Sequence, residues 1–215
     1  MAAPVNKEGP HRRNSAPTVS IDDMLLIKSC RAGDSAAMER LILKYQHRIY
    51  NTILKICANT HDAAELTQDT FVKVIENIAR FQGRSSFYTW IFRIAVNLTL
   101  NHCRRKTKLQ IKSLEAKTVE VSDSRRKLLK DYLSDDNVPD PEEVAQNKEL
   151  GQIALEALNR LTEEQRAVLV LRDIEGMNYA RIAVVLNVQL GTVRSRLSRA
   201  RSSLKQIMEA FLDEG

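Results

Sequence analysis

Apolar residues recur along this chain at steps of three and four, the spacing that lines one face of an α-helix, in two blocks separated by a stretch without such order. At the start of the first block, Ser20 is placed to cap a helix over residues 21–31, with Asp22 and Asp23 in its first turn and Gly33 just past its end. Asp34 then caps a second helix. Its Leu41, Ile42, Tyr45, Ile49, Ile53, Leu54 and Cys57 form an amphipathic pattern that runs to about Ala58. A third helix is predicted from Asp62 onward. Leu66, Thr70, Val74 and Ile78, with Phe71 and Ile75 beside them, face the core, and Asp62, Glu65 and Asp69 share an outer face. A fourth helix opening near Ser86 puts Phe87, Trp90, Ile91, Ile94, Ala95 and Leu98 on a wide apolar face.

The second block opens at Asp140, Pro141 and Glu143, an N-cap aspartate followed by proline at the first helical position, and this helix runs to about Arg160. Thr162 and Gln165 repeat the capping logic before another helix, which ends where Gly176 supplies a left-handed residue. Tyr179, Ile182, Ala183 and Leu186 then seat a short helix. Asn187 takes the turn, and Val188, Val193 and Leu197 seat a second helix across the first. This is a helix-turn-helix pattern.

All five prolines lie outside the periodic segments, at Pro4, Pro10, Pro17, Pro139 and Pro141. They bound a disordered tail over residues 1–20, a first unit over 21–108, a linker over 109–139 and a second unit over 140–215. The linker switches from basic to acidic residues, with a short helix predicted at 124–133. As a flexible coil of about 30 residues it spans roughly 30 Å, so the two units can sit apart. With Leu, Ile, Val and Ala carrying the apolar content and only seven glycines, the fold class is all-α: two small helical domains joined by a flexible linker.

A net charge of +6 fits a polyanionic partner. Cys30, Cys57 and Cys103 are isolated and lack CxxC spacing, and the four histidines are scattered, so neither a disulfide framework nor a zinc site is indicated. A reducing cytoplasm fits. No apolar run approaches membrane-spanning length and the first twenty residues hold no hydrophobic signal segment, so no membrane insertion is expected. Asp62, Glu65 and Asp69 could hold a magnesium ion, as in a nuclease. No His or Lys stands among them as general acid or base, however, and the commoner reading is a solvated helix face or a docking surface. No catalytic residue, cofactor or metal is expected.

Five of the eleven aromatics, Phe81, Phe87, Tyr88, Trp90 and Phe92, crowd the start of the fourth helix. On its other side Thr89, Arg93, Asn97 and Asn101 recur every four residues as a polar stripe that Arg104, Arg105 and Lys108 continue. Phosphates attract Arg and Lys, while unstacked bases favour aromatic faces and amides, so this combination suits single-stranded nucleic acid. In the second unit Arg194, Arg196, Arg199, Arg201 and Lys205 share the second helix of the helix-turn-helix with no acidic residue before Glu209, which suits a major groove. Arginine reads guanine bidentately, and Thr192, Ser195 and Ser202 reach phosphate or base.

Together these features resemble the extracytoplasmic-function class of bacterial RNA polymerase sigma factors, over nearly all of residues 21–108 and 145–206. FYTWIFRIAVN with its preceding GRSS loop resembles the region that recognises and melts the −10 element, and GTVRSRLSRAR the −35 recognition helix. LTQDTFVKVIENIARF resembles the segment that binds the clamp helices of core polymerase. The resemblance implies that Leu66, Gln68, Asp69 and Lys73 bind core polymerase, with a second contact at its flap. It implies that the −10 DNA meets Phe81, Arg84, Ser85, Ser86, Phe87, Tyr88, Arg93, Asn97, Arg104 and Arg105, with a flipped base near Asn97. Thr192, Arg194, Ser195, Arg196, Ser198, Arg199 and Arg201 would meet the −35 duplex. An anti-sigma protein is an expected inhibitor. Gln189 stands where the family usually has proline, and Ser198 where several relatives carry a larger residue, which bears on the −35 sequence and not on the role. The rival is a helix-turn-helix regulator that never touches polymerase; it leaves the first unit unexplained.

Overall fold

The computed structural model describes residues 21–114 and 156–213, and every element in them is helical. The first unit holds α1 (Ile21–Arg31), α2 (Ser35–Cys57), α3 (Thr60–Asn77) with a 3-10 turn at Ile78–Arg80, and α4 (Phe87–Leu114). Residues 156–160 are helical and are the described end of the helix predicted from Asp140. The second unit continues with α5 (Glu163–Leu169), a widened π turn (Val170–Ile174), α6 (Tyr179–Leu186) and α7 (Leu190–Asp213). The tail, the helix predicted at 124–133, the Ser20 cap and the start at Asp140 lie outside the described residues. Among the described residues no helix is long and apolar enough to cross a membrane.

Local chemistry accounts for the helix boundaries. Asp34 accepts the backbone N–H groups of Ala36 and Ala37 at 2.9 and 3.1 Å, and Gly33 before it sits at φ +89°. Asn59 caps α3 by accepting from the Asp62 N–H at 2.9 Å, so this helix starts earlier than its apolar stripe indicated. Thr162 and Gln165 form the full capping box, and Asn187 takes the left-handed turn of the helix-turn-helix at φ 53°. The end of α5 departs from expectation: the Glu175 N–H reaches back five residues to the Val170 carbonyl at 2.9 Å, widening the last turn.

In the first unit Leu41, Ile49, Ile53 and Ile56 of α2 lie in the core with Ala63, Leu66 and Val74 of α3 and Phe87, Ile91, Phe92 and Ala95 of α4. Buried Thr70 and Thr99 satisfy their hydroxyls on the Leu66 and Ala95 carbonyls at 2.7 and 2.8 Å. Asp23 fastens α1 to α2, accepting from Tyr45 Oη at 2.6 Å and from Lys44 Nζ at 2.7 Å.

Four expectations are corrected. Ile75 is 50% exposed rather than directed at the core. Asp62 leaves the outer face of α3 and turns toward α4, where Lys106 Nζ donates to it at 2.8 Å with His102 Nε2 at 3.3 Å. Burial opposes ionisation of Asp62, yet the hydrogen bond and charge of Lys106, with His102 beside it, hold its carboxyl below its ordinary value. Thr89 leaves the polar stripe of α4 and is buried. Last, α4 extends to Leu114, inside the stretch read as linker; the two units, which the linker's span allows to sit apart, are packed together in this structure, their buried residues forming one contiguous core with α4 against α2, α3 and α6.

Candidate nucleic-acid interface

The loop of residues 81–86 leads into α4. Gly83 adopts φ +70°, a conformation that favours glycine, and the Ser86 hydroxyl caps α4 by accepting the Thr89 N–H at 3.2 Å. Arg84 is exposed, with Ser85 and Ser86 half-buried beside it. Between this loop and α1 lies a groove of about 480 Å³, lined by Met24, Leu25, Lys28, Arg31, Phe81 and Gly83.

Phe81, Phe87 and Tyr88 are buried, Phe87 on the apolar face that its spacing predicts. Phe87 meets Tyr45, Phe81 and Trp90 with ring centroids 5.4, 5.9 and 5.6 Å away, and Tyr88 lies 4.3 Å from Phe92. The physical reason is area: each ring removes roughly 150–250 Å² from water, and α4 is covered from more than one side, so rows that a two-layer packing would expose are enclosed. The rings form the base on which the 81–86 loop rests.

Further along α4, Arg93, Asn101, Arg104, Arg105 and Lys108 are exposed and Asn97 is half-buried. Arg93 lines a cleft with Ala183, Val184, Asn187, Val188 and Gln189 of the helix-turn-helix. On α3, Gln68, Asp69 and Lys73 are exposed beside the apolar Val72 and Ile75, whereas Leu66, at 4% exposure, lies in the core as its spacing predicts. Among the described residues, no group of three acidic, His or Cys side chains is placed to hold a metal ion.

In the second unit Val193, Leu197 and Ala200 of α7 are buried, which turns Arg194, Ser195, Ser198 and Arg199 to the exposed face. Arg199 Nε donates to the Ser195 carbonyl at 3.3 Å, holding the guanidinium along the helix. Thr192 and Arg196 are half-buried. The free N-terminal amides of α7 and its basic face together favour phosphate.

Five residues important to this arrangement escaped the sequence reading. Glu175, at 7% exposure, accepts from three side chains of the first unit: Arg48 Nε at 2.6 Å, Thr52 Oγ1 at 2.8 Å and Tyr88 Oη at 3.0 Å. Arg48 also lies over the Tyr88 ring, 4.9 Å from its centroid. Burial alone would lower the Arg48 pKa, but the hydrogen bond and charge of Glu175 raise it. Burial, then Glu175, pushes the Tyr88 phenol well above its ordinary range. Glu164 takes Arg104 of α4 at 2.7 Å and Arg196 of α7 at 2.9 Å, and Asp173 takes Arg201 at 2.6 Å. One signal was available for Glu175: an acid at a helix C-terminus opposes the macrodipole, so its presence there asks for a cation from elsewhere.

Residues 41–109 match the profile of Sigma-70 region 2, and residues 151–204 that of Sigma-70, region 4. The RNA polymerase sigma-H factor of Pseudomonas aeruginosa is 33% identical over 196 residues, covering 89% of this chain and 96% of that relative. The ECF RNA polymerase sigma-E factor of Escherichia coli K12 is 29% identical over 196 residues, covering 89% and 97%. Among solved structures, CnrH in complex with the cytosolic domain of CnrY shares the fold at TM-score 0.59 and 21% identity, covering 88% of this chain and 98% of that one. The sigma factor RpoE, solved with the anti-sigma factor NepR from Bartonella quintana, does so at TM-score 0.59 and 21% identity, covering 80% and 96%. The chain belongs to the extracytoplasmic-function class of RNA polymerase sigma factors. Sigma factors are transcription initiation factors; this one binds core RNA polymerase and directs it to promoter DNA.

Proposed function

We propose the following division of labour for these residues in promoter-specific initiation. Gln68, Asp69 and Lys73, with exposed Val72 and Ile75 between them, dock on the clamp helices of core polymerase. The second unit meets the flap. Arg84, Ser85 and Ser86 on the 81–86 loop, with Asn97, hold a flipped −10 base, and Arg93, Arg104 and Arg105 hold the opened strand. Phe81, Phe87 and Tyr88 act from beneath by fixing the loop. On the −35 duplex, Arg194, Ser195, Ser198 and Arg199 meet base edges while Thr192, Arg196 and Arg201 meet phosphate.

One observation carries the reading: α7 turns Arg194, Ser195, Ser198 and Arg199 outward together, on a helix with no acid before Glu209. Capture of bases as they unstack offsets a few kcal/mol each, so melting needs no nucleotide hydrolysis and the chain itself catalyses no reaction. The site of action is the cytoplasm, on the nucleoid. CnrH is solved with the cytosolic domain of CnrY and the sigma factor RpoE with the anti-sigma factor NepR, and an anti-sigma protein that covers both DNA faces is the corresponding regulator here.

Mixing the purified chain with core polymerase and a library of promoter fragments tests this. A comigrating complex and transcripts from defined start sites are expected; operator binding without a polymerase complex would favour a plain helix-turn-helix regulator. Asp69→Arg reverses a charge on the docking face and is expected to weaken the polymerase complex about tenfold, close to 1.4 kcal/mol, while leaving −35 duplex binding intact.

A further inference from the structure

The start of α7 is held by a rigid turn. Asn187 is left-handed at φ 53°, the Val188 N–H donates to the Ala183 carbonyl at 3.0 Å, and half-buried Val188 packs against the core. The Gln189 carbonyl then opens the helix by accepting the Val193 N–H at 3.2 Å. From here three successive residues, Gln189, Leu190 and Gly191, are not the ones the fold asks for.

At the starts of α2 to α6, the side chains of Asp34, Asn59, Ser86, Thr162 and Asn178 each accept a first-turn N–H. Gln189 holds the same position in α7 but is one methylene longer than a capping asparagine. It is exposed, and among the described residues its amide has no hydrogen-bond partner. It borders the cleft toward Arg93 without bonding it. Leu190 stands 41% exposed at the first helical position. Gly191 is helical and not left-handed, so no backbone conformation requires glycine, and a Cβ there would meet nothing within 4 Å. Glycine weakens a helix relative to alanine. Neither packing nor capping accounts for the run, and local rules broken together on an exposed surface mark a functional site.

A free amide, an apolar tip and a missing side chain fit the edge of a base pair. The glutamine amide donates and accepts at once, so it pairs bidentately with N6 and N7 of adenine, while an apolar side chain packs on the thymine methyl. Glycine lets a ligand approach the backbone closely. A recognition helix sets its N-terminal residues against base edges in the major groove, which is where this run lies, one turn before Arg194 and Ser195.

We propose that Gln189 and Leu190 are specificity residues of the −35 site: the Gln189 amide reads an adenine and Leu190 a neighbouring thymine methyl, with Gly191 leaving room for the base edges. The proposal rests on the sigma-factor reading above and extends the bases read beyond those met by Arg194, Ser195, Ser198 and Arg199.

The test selects bound duplexes from a promoter library randomised across and beside the −35 element, using the full chain with core polymerase. Wild type is expected to prefer adenine at one position by about ten-fold. Gln189→Ala is expected to erase that preference alone, and Gln189→Glu to transfer it to cytosine, whose N4 amino group donates to a carboxylate. Ranking the bases within one protein cancels the charge that the second variant adds. Leu190→Ala is expected to reduce a thymine preference about four-fold, what burying about one methyl group contributes. Gly191→Ala is expected to raise the thermal midpoint of the free chain and yet weaken duplex binding several-fold, a combination that a purely structural glycine does not produce. An even loss over all sequences in Gln189→Ala, or no loss, overturns the adenine contact. An unchanged thymine ranking in Leu190→Ala overturns the methyl contact, and wild-type binding by Gly191→Ala overturns the close approach. If no polymerase complex forms, the sigma-factor reading falls, and the same selection with the free chain decides Gln189: an adenine preference that the alanine variant removes upholds its role, and the lack of one overturns it.

Discussion

The −10 unit and the −35 unit use their distinctive residues in opposite ways. In α7 the buried row of Val193, Leu197 and Ala200 and the exposed row of Arg194, Ser195, Ser198 and Arg199 are cleanly divided, so a single helix both packs and reads. In α4 Phe87, Tyr88 and Phe92 are committed to the interior, while Arg93, Asn101, Arg104, Arg105 and Lys108 face outward. The difference reflects the two tasks. A duplex presents a rigid groove that an exposed row can meet directly, whereas a flipped base needs a shaped receptacle, and rings packed beneath a loop give that receptacle its shape.

Phe87→Ala probes the contrast most severely. Removing a fully enclosed ring that touches Tyr45, Phe81 and Trp90 is expected to destabilise the protein by about 3–5 kcal/mol, seen as a fall in the thermal midpoint of the free chain. Intact stability with lost −10 binding would place Phe87 in direct contact with DNA and erase the distinction between the units. Arg199→Ala on the exposed row should leave the melting curve alone and weaken −35 discrimination by about 1–3 kcal/mol in competition binding. An equal loss on every duplex would reduce that arginine to a phosphate contact.

Thr162→Ala removes the hydroxyl half of the capping box and is expected to cost about 1 kcal/mol of stability, measured by denaturant unfolding. The smallest effect is an alkaline one. Burial pushes the Cys57 and Cys103 thiols from 9.0 to about 11 and about 12, so both stay protonated in the fold while the unfolded chain ionises them from pH 9. The unfolded state then binds fewer protons, and stability should decline from about pH 9 up to about pH 12, a slope that Cys103→Ser flattens.

How much of this was legible in the sequence depended on whether a feature is local. The caps at Asp34 and Thr162, the left-handed Asn187 and Gly176, and the apolar row of α7 are set by neighbours within a few residues, and each stands where periodicity and turn chemistry put it. Ile75, Thr89 and Asp62 were misplaced for one shared reason. A helical wheel reports one apolar direction, and it says nothing about a second element that covers another row or leaves the expected one bare. Glu175 is the extreme case, since its partners Arg48, Thr52 and Tyr88 lie 127, 123 and 87 residues away. The Asn59 cap, by contrast, was readable and was passed over because the apolar stripe begins after it.

Trp90 is the only tryptophan in the chain, and it stands half-buried with its indole 5.1 Å from Phe81 and 5.6 Å from Phe87, at the root of the 81–86 loop. Its emission is therefore a native optical gauge of that loop: any strand that lodges there and shifts Phe81 alters the surroundings of the indole. Promoter opening by this protein can be followed in real time without attaching a dye.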